Sequence, residues 1–161
     1  MLVSCLKVFT SIVNNRLIIF EYLIYKIQGS VMMNNIIVFV VDRNPIHNGL
    51  IKYHLNISKY NFVYTFPNGQ ECLYRLQKGL IPEFIITDYD IGNYTGFDFL
   101  GKVKDRYPDV SVVYFSSFAD PVLAMKLLEA GASDFIVKTS KLETGITELL
   151  KNLKFIHKEV R

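Results

Sequence analysis

Four short apolar runs in the chain each lead into side chains that can do chemistry. Residues 36–41 (IIVFVV) run into Asp42, Arg43 and Asn44, and residues 83–88 (EFIITD) end at Asp88, followed by Tyr89 and Asp90. Residues 110–117 (VSVVYFSS) carry Ser116 at their end, and residues 134–138 (DFIVK) finish on Lys138. A carboxylate flanked by a hydroxyl and an ammonium suits chemistry on the carboxylate itself. Asp88 can attack a phosphorus centre and become an acyl phosphate. Lys138 can then pair with one oxygen of the transferred group while the Ser116 hydroxyl donates to another. Asp42 and a carbonyl after Asp88 can help hold Mg²⁺, which prefers six oxygens and keeps several as water. Each residue alone says little, because an Asp at a strand end is usually a cap or turn residue. The signal is their joint placement at four strand ends. His47 and His54, seven residues apart, have no third ligand in view, so no metal site is expected on them.

Such convergence needs a scaffold that brings strand ends to one edge. From Asn34 onward, β-branched and aromatic runs alternate with segments of helical period. A continuous apolar run such as IIVFVV is what a strand buried on both faces of a parallel sheet looks like. FVYTF (62–66) completes a set of five strands. Pro45 opens the first helix, whose apolar stripe is read as Ile46, Leu50, Ile51 and Leu55. Asp120-Pro121 reads as the cap and first turn of a helix ending at Gly131. The last helix aligns Leu142, Ile146, Leu149, Leu150, Leu153 and Ile156. The expected fold class is therefore α/β, an open parallel sheet of five strands with five helices. In such sheets ligands gather outside the carboxyl ends of the strands.

Composition narrows the field. At 161 residues, half of them hydrophobic and a fifth charged, the chain holds one ordinary domain with a real core. Of the net charge of +3, +2 falls in the first 33 residues (Lys7, Arg16 and Lys26 against Glu21). The remaining +1 gives no basic surplus to track phosphates, so no nucleic-acid partner is expected. Cys5 and Cys72 make neither a disulfide framework nor a CxxC, which points to a reducing cytoplasm. Residues 1–31 are apolar but broken by charges, with no 18-residue uncharged run, so no membrane span or signal peptide is expected. Two readings of that segment stand: an amphipathic helix whose apolar face packs on a partner or makes a homodimer, and a translation start at Met32 or Met33. The expected organisation is an apolar extension over 1–33, one domain over 34–157 and a short tail over 158–161.

VVDRNP, IITDYDIGNYTGFDFL, VVYFSS, AGASDF and FIVK together resemble the receiver domain of bacterial two-component response regulators. The family's Asp-x(7)-Gly pattern is met by Asp88 and Gly96. The resemblance implies strand order 2-1-3-4-5, with Asp88 as phosphoacceptor, Ser116 as switch hydroxyl, Lys138 as the site lysine and Phe135 as the switch aromatic. It implies Mg²⁺ held by Asp42, Asp88 and the backbone carbonyl at Asp90. It also implies a sensor histidine kinase or phosphotransfer protein upstream, and an output partner on the face of helix 4, strand 5 and helix 5. Lys126, Glu129, Phe135, Lys141 and Lys151 belong to that face. With no output domain after the last helix, a stand-alone receiver is expected.

Three departures from the family pattern qualify this. Arg43 stands where receivers usually carry a second metal-binding acid, so Mg²⁺ affinity is expected to be weakened, with the Asp90 carboxylate as a partial substitute. Gly92 replaces a proline common in the loop after the acceptor, and Thr139 replaces a proline after the lysine, where a trans bond is expected. Two functions follow. One is a phosphoaccepting signalling switch; the other is a pseudo-receiver, a constitutive protein-interaction module that no longer takes phosphate. A flavin carrier would want a glycine- and hydroxyl-rich loop where Arg43-Asn44-Pro45-Ile46 stands.

Overall fold

Helix caps and buried strands set the frame of the computed structural model, which describes residues 36–159. The strands are β1 (Ile37–Val41), β2 (Phe62–Phe66), β3 (Phe84–Thr87), β4 (Ser111–Ser116) and β5 (Asp134–Val137). The helices are α1 (Pro45–Ile57), α2 (Gly69–Gln77), α3 (Gly96–Arg106), α4 (Pro121–Glu129) and α5 (Leu142–Glu159). All strands are parallel in the order β2-β1-β3-β4-β5, as the resemblance implied. β3 and β4 are buried along their whole length, which is why their sequences do not alternate.

Polar side chains start the helices. Asn44, Asn68, Thr95 and Asp120 each accept backbone N–H groups from the first turn of α1, α2, α3 and α4. On one side of the sheet, Phe39, Ile85, Val112 and Tyr114 pack with Cys72 and Leu76 of α2, Phe99 and Val103 of α3, and Leu127 of α4. α1 and α5 pack on each other and on the strands, burying Ile51, Leu55, Ile146, Leu149 and Leu153.

The stripe expected on α1 is wrong at one end. Ile46 is 69% exposed, and the residue buried one turn before Ile51 is Asn48. The Asn48 amide donates to the carbonyls of Asp42 (2.7 Å) and Phe66 (3.2 Å), so it ties together the ends of β1 and β2. α5 runs two residues past the expected domain end at 157. No cis peptide occurs among the described residues, so the bond at Thr139 is trans as expected. Gly92 has φ +86°, a conformation closed to proline. The readings of residues 1–33 lie outside the described residues, as do the last two residues of the expected tail.

Candidate functional site

Register delivers the four expected side chains to one edge. Val41 pairs with Thr87 across β1 and β3, and Ser116 pairs with Val137 across β4 and β5. Backbone bonds carry the alignment one residue further: Asp88 N–H donates to the Val41 carbonyl (2.9 Å) and Lys138 N–H to the Ser116 carbonyl (2.7 Å). Asp42, Asp88, Ser116 and Lys138 thus emerge side by side.

Lys138 is the hub. Its ammonium donates to Asp42 Oδ2 at 2.6 Å and to Asp88 Oδ2 at 2.5 Å, with its side chain only 3% exposed. The other Asp88 oxygen accepts from the Ser116 hydroxyl (2.5 Å) and from Tyr89 N–H (2.6 Å). Asp42 is equally occupied: Oδ1 accepts from Asn44 N–H (2.8 Å), and Oδ2 takes the His47 imidazole Nδ1–H (3.1 Å) besides Lys138. Of the two carboxylates, Asp88 is the more open, at 17% exposure against 5% for Asp42.

Arg43 and Asp90 stand at the rim, both largely exposed and joined by a 2.9 Å ion pair. Asp90 Oδ1 also accepts from Gly92 N–H (3.4 Å), closing the turn after β3. Arg43, Asn44, His47 and Asp90 line an open cavity of about 370 Å³ with Asp42 and Asp88 at its floor. A groove of about 400 Å³ between α2 and α3 contains none of these groups.

Phe135 lies apart from the carboxylates. It is half-buried on β5 and stacked on Tyr114, with ring centroids 6.1 Å apart. Tyr89 connects Asp88 to the β4–α4 loop by stacking on Phe118 (5.7 Å), whose N–H donates to Ser116 Oγ (3.2 Å). Burial pushes the Tyr114 hydroxyl well above its ordinary range, with the nearby Tyr89 charge adding to it, and its Oη–H donates to the Gly96 carbonyl (2.7 Å).

Sequence reasoning missed His47, Asn48 and Tyr89. A spacing signal did exist for Asn48: positions 48, 51 and 55 fall on one helical face, so a polar residue at the first of them had to be buried and paired. His47 has no metal partners in the sequence, yet one turn after a strand-end Asp its ring reaches back to that carboxylate.

The side chains here are a poor fit for the Mg²⁺ that the resemblance implies. No group of three or more His, Cys, Asp or Glu among the described residues is arranged to hold a metal. Asp42 already accepts from Asn44 N–H, His47 and Lys138, and Asp90 faces the Arg43 guanidinium.

Comparison with known proteins places this geometry. The response regulator receiver domain model matches residues 38–150. A two-component response regulator of rice (Oryza sativa subsp. indica), ORR3, is 36% identical over 103 residues, covering 63% of this chain and 78% of that one. A hybrid signal transduction histidine kinase of Dictyostelium discoideum is 31% identical over 119 residues, covering 73% of this chain and 8% of that one. Among solved structures, the chemotaxis response regulator CheY4 of Vibrio cholerae shares the fold with a TM-score of 0.64 at 24% identity, over 73% of this chain and 98% of that one. A CheY-like receiver domain protein from Methanospirillum hungatei JF-1 does so at 0.69 and 19%, over 78% and 95%. Sequence relatives thus include plant and Dictyostelium proteins, so the bacterial origin implied by the resemblance is unsupported. With its family model spanning well over half its length, the chain belongs to the response regulator receiver domain family.

Proposed function

We propose that this receiver is a phosphoaccepting switch of a two-component relay, taking its phosphoryl group on Asp88 from a sensor histidine kinase or a phosphotransfer protein. The observation that carries this reading is the set of donors around Asp88. Its carboxylate opens on the cavity while Lys138, Ser116 and Tyr89 N–H hold it in place. An Asp88 oxygen attacks phosphorus, the phosphorus–nitrogen bond of the phosphohistidine breaks, and the imidazole leaves with the electron pair. Lys138 and Ser116, already within hydrogen-bond distance of the acceptor, follow the new phosphoryl oxygens.

The charge added at Asp88 biases a two-state element. Ser116 and Phe135 are that element. A hydroxyl drawn toward the phosphoryl group moves the end of β4 and the loop that carries Phe118, next to α4. Val122, Met125 and Leu128 leave α4 with exposed apolar side chains, and Val137 of β5 is exposed beside them. Lys126 and Glu129 on α4, Lys141 just before α5 and Lys151 on α5 are exposed, a mixed polar setting for an output protein. No helix among the described residues is long and apolar enough to cross a membrane.

The second reading is a pseudo-receiver, a constitutive protein-interaction module. The Arg43–Asp90 pair favours it, because it occupies two positions from which a metal would be held. Intact-mass spectrometry after incubation with phosphoramidate separates the two. One added phosphoryl group on the wild type and none on Asp88→Asn is the expected result. A folded wild-type protein that stays unlabelled supports the constitutive module instead.

A further inference from the structure

A receiver that lacks its second acid is one metal ligand short, yet the residue here is more than a missing ligand. Arg43 lines the cavity above Asp88, and its guanidinium lies 2.9 Å from Asp90 at the rim. The formal charge of the cavity follows from its residues. Asp42, Asp88 and Asp90 against Lys138 and Arg43 leave −1, with His47 counted neutral. An acid at position 43 would make the same cavity −3, and one bound Mg²⁺ would bring it back to −1. Replacing an acid by an arginine thus changes the charge by the amount a divalent ion supplies.

Geometry points the same way. Asp42 does not wait for a cation: Asn44 N–H, His47 and Lys138 all donate to it, so it serves as the counter-ion that aims Lys138 at Asp88. Among the described residues, the Arg43 guanidinium is held by a rim pair with Asp90 alone. Exposed pairs of this kind contribute little and exchange readily. A guanidinium offers five N–H donors in a planar fork that matches two oxygens of a phosphoryl group. Asp90 keeps a second bond, from Gly92 N–H, when the arginine leaves it.

We propose that Arg43 takes the place of the divalent ion: the cavity accepts and holds a phosphoryl group without metal, with the Arg43 guanidinium and the Lys138 ammonium on its oxygens. This rests on Asp88 being the acceptor. In the test reaction with phosphoramidate, an Asp88 oxygen bonds to phosphorus and the phosphorus–nitrogen bond breaks. Ammonia leaves with the electron pair, its third proton already carried by the donor.

The experiment times the phosphoryl adduct by intact mass in excess EDTA and in excess Mg²⁺, for wild type and Arg43→Asp, alongside calorimetric titration of Mg²⁺ into each protein. Wild type should label at rates within about twofold in the two media and give no Mg²⁺ binding heat. Arg43→Asp should bind Mg²⁺ and label about tenfold or more faster with it than in EDTA, a preference of about 1.4 kcal/mol. Wild type that labels on Asp88 only with Mg²⁺, or that binds Mg²⁺ by heat, overturns the proposal and leaves Asp88 as acceptor. Wild type that labels in neither medium overturns the acceptor reading and this proposal with it. The calorimetry on wild type reports even if Arg43→Asp does not fold.

Discussion

Lys138→Met isolates the interaction that organises the site. The methionine keeps an unbranched stem near Phe115, whose ring lies 5.6 Å from the ammonium, and removes the charge alone. Two carboxylates then lose their shared cation. Asp42 is the worse placed, at 5% exposure, with Asn44 N–H and His47 as its remaining side-chain and backbone donors. Asp88 retains Ser116 and Tyr89 N–H. Stripping one partner from a buried pair costs about 3–5 kcal/mol, because a charge is left uncompensated away from water. Against a typical domain stability of about 5–15 kcal/mol, that is a large share. Urea unfolding followed by circular dichroism should place the midpoint about 2 M below wild type. The cause can be checked by a cycle. If the cost is an orphaned Asp42 charge, adding Asp42→Asn to Lys138→Met should restore about 1–2 kcal/mol rather than subtract more. A Lys138→Met protein within about 1 kcal/mol of wild type, or a double variant whose losses simply add, would refute the reasoning.

Two other predictions concern the scaffold. Gly96→Ala places a Cβ 2.3 Å from Tyr89 Cδ2 and 3.3 Å from Tyr114 Cε1, so stability should fall by about 1–3 kcal/mol and the phosphoramidate labelling of Asp88 should slow; an unchanged urea midpoint would mean that the Tyr89 ring simply yields. Burial raises the Cys72 thiol and the Tyr60 and Tyr114 hydroxyls above their ordinary 9.0 and 10.0, so the folded state favours their neutral forms; that stability is complete below those values and is lost as pH climbs past them, with Lys104, lowered by desolvation, acting in the opposite sense. The urea midpoint should therefore drop above pH 10.0, and a midpoint that rises there contradicts the sign.

Much of the fold was legible because buried parallel strands write themselves as continuous apolar runs. All five strands were expected, and β2 over its observed residues. Gly96 was legible as a motif position, and the structure gives the physical cause: α3 starts against Tyr89, leaving no room for a Cβ. The α1 stripe failed because an apolar count ignores what strand ends need. Asn48 is buried to bond two carbonyls where β1 and β2 stop, and Ile46 falls on the opposite side of the helix from Asn48 and Leu55. His47 was illegible for a related reason. Its role depends on how the Asn44 cap and Pro45 turn the chain immediately after Asp42, and no period in the sequence encodes that turn.

Sheet order also explains why the site residues have the sizes they do. Asp42 and Asp88 follow adjacent strands, so two short side chains can share one cation. Lys138 follows the edge strand β5, with β4 standing between it and β3. Strands lie about 4.8 Å apart, so about 10 Å separates the ends of β5 and β3, a gap that the Lys138 and Asp88 side chains close from both sides. Only a long side chain spans this, and it must pass over the end of β4. The residue at that end therefore has to be small, and it must itself be polar to face the carboxylate. Ser116 meets both demands, donating to Asp88 Oδ1 while the lysine takes Oδ2. A larger residue at 116 would block the lysine, and a shorter one at 138 would strand both carboxylates. The order acid, acid, hydroxyl, lysine along β1, β3, β4 and β5 is thus one that the spacing of the strands permits, with the hydroxyl and the lysine not interchangeable.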